Sequence, residues 1–401
     1  MSIFECFVIG KNVKKIITRT VLLLSLVSLF TDIASEMLYP VMPMYLTSIG
    51  FSIVLIGFLE GIAEATAGLS KGYFGHLSDI IGKRKRFIQF GYSLSAISKP
   101  MIAVMSFPLW IFGVRTLDRL GKGIRTGARD AMLSAETAAE FKGRVFGFHR
   151  AFDTLGAALG PLAALVFLIF YPGQYKTLFL LAFIPGVFAV ALTFRVQEKH
   201  QPSAPVEMPG FFAFLKYWKT APLQFRFLVV GLLFFALMNS SDILLLLMMR
   251  HQGATDLQVI GVYIFYNLIY ALMSYPMGAL GDKIGLKTTL ILGLALFAFV
   301  YGGIIFATST AALLVLFFFY GMYAAGTEGI SKAWISNIVP KSDVATAIGF
   351  YTGIQSICTL IASSVAGWLW YAFSPAMTFG VSAVGAIFTI FYLMTVFWDL
   401  H

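Results

Sequence analysis

Gly75-His76-Leu77-Ser78-Asp79-Ile80-Ile81-Gly82-Lys83-Arg84 and Gly278-Ala279-Leu280-Gly281-Asp282-Lys283-Ile284-Gly285-Leu286-Lys287 are two copies of one pattern, displaced by 203 residues. A second landmark returns at nearly the same distance: Gly147-Phe148 is matched by Gly349-Phe350, 202 residues on. Two landmarks with nearly equal offsets mark a duplicated unit of about half the chain. Each copy of the pattern closes a long apolar run, so the repeated unit is built from such runs.

Composition decides what solvent those runs meet. Of 401 residues, 59% are AVILMFWYC and 12% are charged, with 40 Phe, against roughly 45–50% and about 25% in soluble domains. With a mean hydropathy of +0.84 there is too little polar surface to coat a globule, so lipid is the solvent and disorder is excluded. The formal charge of +10, from 29 Lys and Arg against 19 Asp and Glu, belongs to loops at one membrane face rather than to a nucleic-acid surface. Cys6 and Cys358 lie in a tail and an apolar run, which builds neither a disulfide framework nor a zinc cage.

At roughly 20 residues per crossing, the chain divides into twelve spans at 21–48, 51–77, 87–106, 108–130, 142–171, 176–195, 222–249, 257–280, 288–307, 310–338, 343–372 and 376–398. Runs such as Thr288 to Thr308 are continuously apolar and do not alternate, which excludes a β-barrel and leaves an all-α integral membrane fold. The least apolar stretch, from Arg195 to Arg226, holds Glu198-Lys199-His200-Gln201-Pro202 and Pro205 and reads as a linker. The expected organisation is therefore a six-helix bundle over 1–195, a linker over 196–221 and a second bundle over 222–401. Lys11, Lys14, Lys15 and Arg19 precede an apolar run with no A-x-A site, so the first span is read as uncleaved. These four, Lys83 to Arg86, Lys142, Arg144, Arg195, Lys199, Lys216 and Lys219 fall on one side, while Thr47 to Ser52 and Ser106 to Pro108 carry no Lys or Arg. The positive-inside rule then puts both termini in the cytoplasm and the chain in the cytoplasmic membrane. Parallel repeats of this kind form pseudo-symmetric halves around a central cavity.

Three motifs resemble those of the major facilitator superfamily, and the resemblance covers essentially the whole chain. The Gly75, Asp79, Gly82, Lys83, Arg84 string is similar to the family's loop between spans two and three, with a degenerate copy at Gly278, Asp282, Gly285 and Lys287. Arg115 with Gly121 and Gly123 resembles the basic motif of span four. On span five, Gly147, Gly156, Gly160 and Pro161 match the spacing of the antiporter motif, whose closing glycine pair is here Ala164 and Leu165. The segment RTLDRLGKGIRTGARD is similar to a group of prokaryotic members. The resemblance implies alternating access, a gating role for the loop motif and export by antiport.

Ionisable residues deep in the spans mark where the chemistry concentrates. Asp32, Glu36, Glu60, Glu64, Lys71, Lys99, Arg115, Asp118, Arg119, Lys122, Arg150, Asp153, Asp242, Glu328 and Lys332 each cost up to about 3 kcal/mol at a helix centre. Together that exceeds any domain's net stability, so they are paired or wet. Most lie in the first half, leaving the second to supply shape and apolar contact. Asp32 and Glu36 share a helical face ahead of Tyr39-Pro40 and Pro43, which interrupt the helix. Their mutual repulsion favours proton uptake by one of them, as a coupling carboxylate requires; a static ion pair is the competing reading. Glu60 and Glu64 sit at the same spacing beside the glycine stripe Gly57, Gly61, Gly68, Gly72 and Gly75. The stripe Arg115, Arg119, Lys122, Arg125, Arg129 on span four, with Asp118, either neutralises these acids, which the balance of charges favours, or binds an anionic substrate. His149 and Asp153 are placed for either a relay or packing, and Glu328 and Lys332 are expected to pair locally. Asn239, Ser240, Ser241 and Asp242 are expected to face Asp32 across the cavity.

No G-x-x-x-x-G-K-[ST] cradle exists for an ATP-driven pump, and the scattered histidines assemble no enzyme site, metal cluster or cofactor pocket. The expectation is a monomeric secondary transporter, not an enzyme, exporting a small organic molecule against protons; uptake or exchange of an organic anion is the alternative. Proton coupling is assigned to Asp32, Glu36, Arg115, Asp118 and Asp153. The substrate cavity is assigned to Glu60, Glu64, Arg119, Arg150, Asn239, Asp242 and Glu328. Gating is assigned to Gly75, Asp79, Gly82, Lys83, Arg84, Gly147, Gly156, Gly160, Pro161 and Asp282.

Overall fold

The computed structural model describes residues 16–39, 41–198, 209–239, 242–307 and 309–397. Cys6, Lys11, Lys14, Lys15, Pro40, the linker segment Lys199 to Pro205, Ser240 and Ser241 lie outside the described residues, as do the side chains of Pro43 and Glu60.

The described chain is helical throughout, with no strand among the described residues. Capping hydroxyls start several of the helices: Thr18, Ser52, Thr255, Ser309 and Ser374 each accept a hydrogen bond from the backbone N–H three residues on. The first span is broken into Arg19–Glu36 and Met42–Ser48, with Pro43 opening the second piece. The seventh is broken at the repeat-equivalent place, into Leu223–Met238 and Asp242–His251. The remaining spans are Ile53–Ile81, Arg84–Val104, Pro108–Ala135, Lys142–Phe170 and Tyr175–Phe194 in the first half. In the second they are Asp256–Ile284, Leu286–Ile304, Thr310–Ile338, Val344–Ala372 and Pro375–Val396. Twelve transmembrane spans thus form two six-helix, pseudo-symmetric halves around a central cavity.

Among the described residues, seven helices are long and apolar enough to cross a membrane on length and composition alone, all from the fifth span onward. The earlier spans miss that measure because they are interrupted or carry the charges the bundle interior uses. Their lipid-facing surface is apolar all the same, as Leu109 (76% exposed) on span four shows. The short segment Ala213–Thr220 meets the seventh span at 119°, turning the linker into the second half.

The buried charge also shapes the cores. The second half has one continuous apolar cluster, from Phe214 through Phe297 and Tyr323 to Phe397. The first half has two, one around Leu38, Ile111 and Phe179 and one around Leu24, Tyr92 and Val145. Asp32, Asp118, Arg119 and Asp153 occupy the stretches of helix between them.

The halves meet most extensively along two helix pairs, span five against span eight and span two against span eleven. The second crossing is close enough to require glycine: a Cβ on Gly75 would lie 2.5 Å from the Ala345 carbonyl oxygen and 3.4 Å from the Gly349 Cα.

Candidate functional site

Gly82, at φ 68°, ends the second span in a left-handed cap and turns the chain into the loop motif. Asp79, one turn earlier, then performs two contacts. Its Oδ1 accepts from Arg84 Nη2 (2.7 Å), and its Oδ2 accepts from the backbone N–H (2.7 Å) and Oγ1 (2.9 Å) of Thr346, in the first turn of span eleven. The degenerate copy does the same to the other half. Asp282 Oδ1 accepts from Gly143 N (2.8 Å) and Oδ2 from Arg144 N (3.1 Å), at the start of span five. Subtracting the 202-residue offset carries Thr346 onto Arg144, so the two locks are symmetry-related. Each sets a carboxylate on the unsatisfied N–H groups and positive dipole end of a helix in the opposite half. The basic face is therefore held shut in this conformation. Lys83, assigned to the gate with Arg84, reaches no carboxylate among the described residues and is exposed. Glu198 instead accepts from the backbone of Arg84 (2.6 Å) and Lys85 (3.2 Å), a cap that nothing in the sequence signalled.

Further into the bundle lies a cavity of about 200 Å³ between the halves. The first half lines it with Asp32, Glu36, Lys122, Arg150, Asp153 and Thr154; the second contributes Asn239, Asp242, Tyr266, Asn267, Tyr270, Tyr320, Tyr323 and Glu328. Asn239 and Asp242 do face Asp32 across it. Asp32 lines the cavity together with Asp153. Asp153 accepts from Ser28 Oγ (2.5 Å) and pairs with Arg150 (2.7 Å).

Arg150 is where the halves are tied together. Its Nη1 holds Asp153, its Nη2 holds Glu328 of span ten (2.5 Å), and its Nε donates to the Tyr270 hydroxyl of span eight. The expected local pair of Glu328 with Lys332 does not form, because both partners find buried opposite charges across the half boundary. Lys332 goes to Asp130 at 2.8 Å, where Arg129 also pairs at 3.0 Å. A buried carboxylate without such cations carries a desolvation cost that an exposed local pair would not relieve. His149 is buried with its Nε2 unpartnered, while Asp153, its expected relay partner, is held by Arg150 and Ser28.

The basic stripe of span four is largely consumed inside the first half. Asp118 takes Lys99 at 2.7 Å and Arg115 at 3.8 Å, and Arg119 takes Glu64 at 3.2 Å. Arg125 donates to Ser95 Oγ (2.6 Å) and lies over the Tyr92 ring. Of the stripe only Lys122 reaches the cavity; Arg115, Asp118, Arg119 and Glu64 do not line it. The span-five glycines also divide. Gly147 meets the backbone of Ser274 in the opposite half, whereas Gly156 and Gly160, with Pro161 following, sit on the first span's backbone at Leu29, Ile33 and Met37. The tyrosines were missed by sequence reasoning, although Tyr266 with Tyr270 and Tyr320 with Tyr323 stand at one-turn spacing.

A model of the Major Facilitator Superfamily matches residues 24–262 and 227–401. The chain belongs to the major facilitator superfamily. It is 33% identical over 377 residues to an MFS-type transporter of Methanocaldococcus jannaschii, covering 92% of this chain and 93% of that one. It is 23% identical over 335 residues to the multi-drug resistance efflux pump PmrA of Streptococcus pneumoniae, covering 80% and 81%. Its fold is similar to that of the human organic anion transporter MFSD10, at a TM-score of 0.80 and 16% identity over 94% of this chain and 99% of the other. The chain is thus a multi-pass integral membrane transporter of a class that binds small-molecule substrates.

Proposed function

We propose that this transporter exports a small organic molecule in exchange for protons, by rocking of residues 1–195 against 222–401 about the central cavity. The observation that carries the reading is the placement of Asp32 and Asp153 in one cavity, with Asp153 joined through Arg150 to Glu328 of the other half. A proton taken up by this pair of acids on one half is thereby linked through a single guanidinium to the other half. Release of that proton leaves two carboxylates competing with Glu328 for Arg150, which loosens the tie between halves. Glu36 lies in the same cavity as a second proton site. Export, rather than uptake, is supported by the glycine pattern of span five and by the efflux function in the name of the Streptococcus relative. The organic-anion alternative rested on the span-four stripe, of which Arg115, Arg119 and Arg129 are paired with acids while Lys122 lines the cavity.

On this reading the transporter works as a monomer in the cytoplasmic membrane with both termini inside, and the face locked by Asp79 and Asp282 is cytoplasmic. A thermal-shift screen of purified protein against drugs, amino acids, sugars and phosphorylated metabolites supplies a ligand. That ligand accumulates in everted vesicles with an acidified lumen, and a protonophore abolishes the accumulation. Asp32→Asn keeps counterflow exchange but loses accumulation, because an amide hydrogen-bonds without carrying a proton. Accumulation indifferent to the protonophore refutes the proposal.

A further inference from the structure

Five carboxyls and two cations line the central cavity. The cations are not evenly available: Arg150 is committed to Asp153 and Glu328, whereas Lys122 has no ion pair among the described residues. Asp32 and Glu36 likewise have no cation within 4 Å among the described residues; Asp242 is the lining acid held by tyrosines. It accepts from the hydroxyls of Tyr266 (2.8 Å) and Tyr320, both neutral donors, and no cation lies within 4 Å of it among the described residues. A carboxylate inside a lipid-embedded bundle is costly unless a positive charge answers it.

The surroundings specify what kind of positive charge would fit. The rings of Tyr266 and Tyr320 lie 5.4 Å apart, and those of Tyr320 and Tyr323 also 5.4 Å, forming an aromatic wall around the acid. Such faces attract a cation through the ring quadrupole and also accept apolar substituents. Asn239, at the break in span seven, donates through Nδ2 to the Tyr323 hydroxyl (3.1 Å), while its Oδ1 is a buried acceptor with no hydrogen-bond partner. An open acceptor beside an unanswered carboxylate asks for a ligand that donates N–H groups. An anion would find instead an acid and an acceptor in this part of the cavity; the cation open to it, Lys122, belongs to the first half.

We propose that the transported solute is a small organic cation bearing an ammonium group, with Asp242 as its counter-ion, Asn239 Oδ1 as a second acceptor, and the tyrosine wall around its apolar part. The proposal rests on the transporter reading above and names its substrate class. The cavity volume of about 200 Å³ falls below the range of drug-sized pockets, which sets the solute's size as small.

The test uses the purified full-length protein and three matched probe sets on benzyl, cyclohexylmethyl and butyl frames, each set an ammonium, an alcohol and a carboxylate. The ammonium member is expected to bind at least about tenfold more tightly than its partners in at least one set, by calorimetry. Asp242→Asn is expected to weaken it on the order of 100-fold. Should that variant fail to fold by size exclusion, Tyr320 decides: Tyr320→Phe keeps the ring and holds affinity within a few-fold, whereas Tyr320→Leu loses roughly threefold to thirtyfold. The assignment is overturned if no ammonium binds, if an alcohol or carboxylate matches it in every set, or if ammonium binding ignores both Asp242 and Tyr320. Vesicle flux separates this from failure of proton coupling. A carboxylate accumulated on a pH gradient would sink the cation assignment alone, and an Asp242-dependent ammonium whose flux ignores the gradient would sink the coupling alone.

Discussion

Gly75→Ala adds a single methyl at the crossing of spans two and eleven, and its consequence follows from the geometry. The new Cβ would stand 2.5 Å from the Ala345 carbonyl oxygen, against about 3.3–3.6 Å for an ordinary C···O approach. Both atoms it meets first belong to backbone, at Ala345 O and C, so no side chain can rotate away. On the other side, Gly127 already packs its own face onto the Gly75 Cα. The second and eleventh spans must therefore separate by about 1 Å, which costs about 1–3 kcal/mol as overpacking. That cost falls on the state in which the basic face is closed, because the crossing exists only while the halves touch there. A penalty of this size lowers the closed-to-open ratio by roughly 5- to 150-fold. The assay places spin labels at Lys83 and Ser342, both exposed beside the lock, in a chain whose two native cysteines have been replaced. Gly75→Ala is expected to lengthen the mean distance, while Gly61→Ala, on the same span with open space at its Cβ, leaves it unchanged. If Gly75→Ala matches Gly61→Ala, the claim that this contact sets the conformational balance is refuted.

Asp79→Asn keeps an acceptor for Thr346 but loses the charge that Arg84 answers, so the same labels should report an opening shift of about 1.5–3 kcal/mol; Asp282→Asn should act alike on span five, and the double variant further than either. Lys99→Ala strands the Asp118 carboxylate and should lower unfolding stability in detergent by about 3–5 kcal/mol, with the added change Asp118→Asn recovering more than half of the loss. Gly156→Leu should abolish transport with the lock distance unaltered, since the glycine abuts Leu29 and Asp32 of the first span and not the opposite half; a lengthened distance would contradict that placement.

The twelve spans and the duplication were legible because lipid imposes a length and an apolar composition on every crossing. The break in the first span was legible from Pro40 and Pro43, but the equivalent break in the seventh, at Asn239, has no proline to announce it. The cavity was legible only in part. Asp32, Arg150, Asp153, Asn239, Asp242 and Glu328 stand in apolar runs at a cost that demands a reason, and they do meet in one place. Arg115, Asp118 and Arg119 carry the same cost and gave the same signal, yet they are answered by Lys99 and Glu64 away from the cavity.

That difference marks the boundary between the two sources of information. Composition, span length, the 203-residue echo of Asp79 in Asp282 and the helix-period spacing of charges are properties of single segments, and they follow from the sequence because each helix satisfies its own backbone in lipid. Which charge answers which is a property of helix rotation and neighbourhood. Glu328 and Lys332 are one turn apart and still turn to different partners, Arg150 and Asp130, on other spans. The tertiary structure alone decided that Asp242 is left to tyrosines, because in a low-dielectric bundle each ion pair depends on which side chains are brought within a few ångströms, and the sequence spacing within one helix does not contain that information.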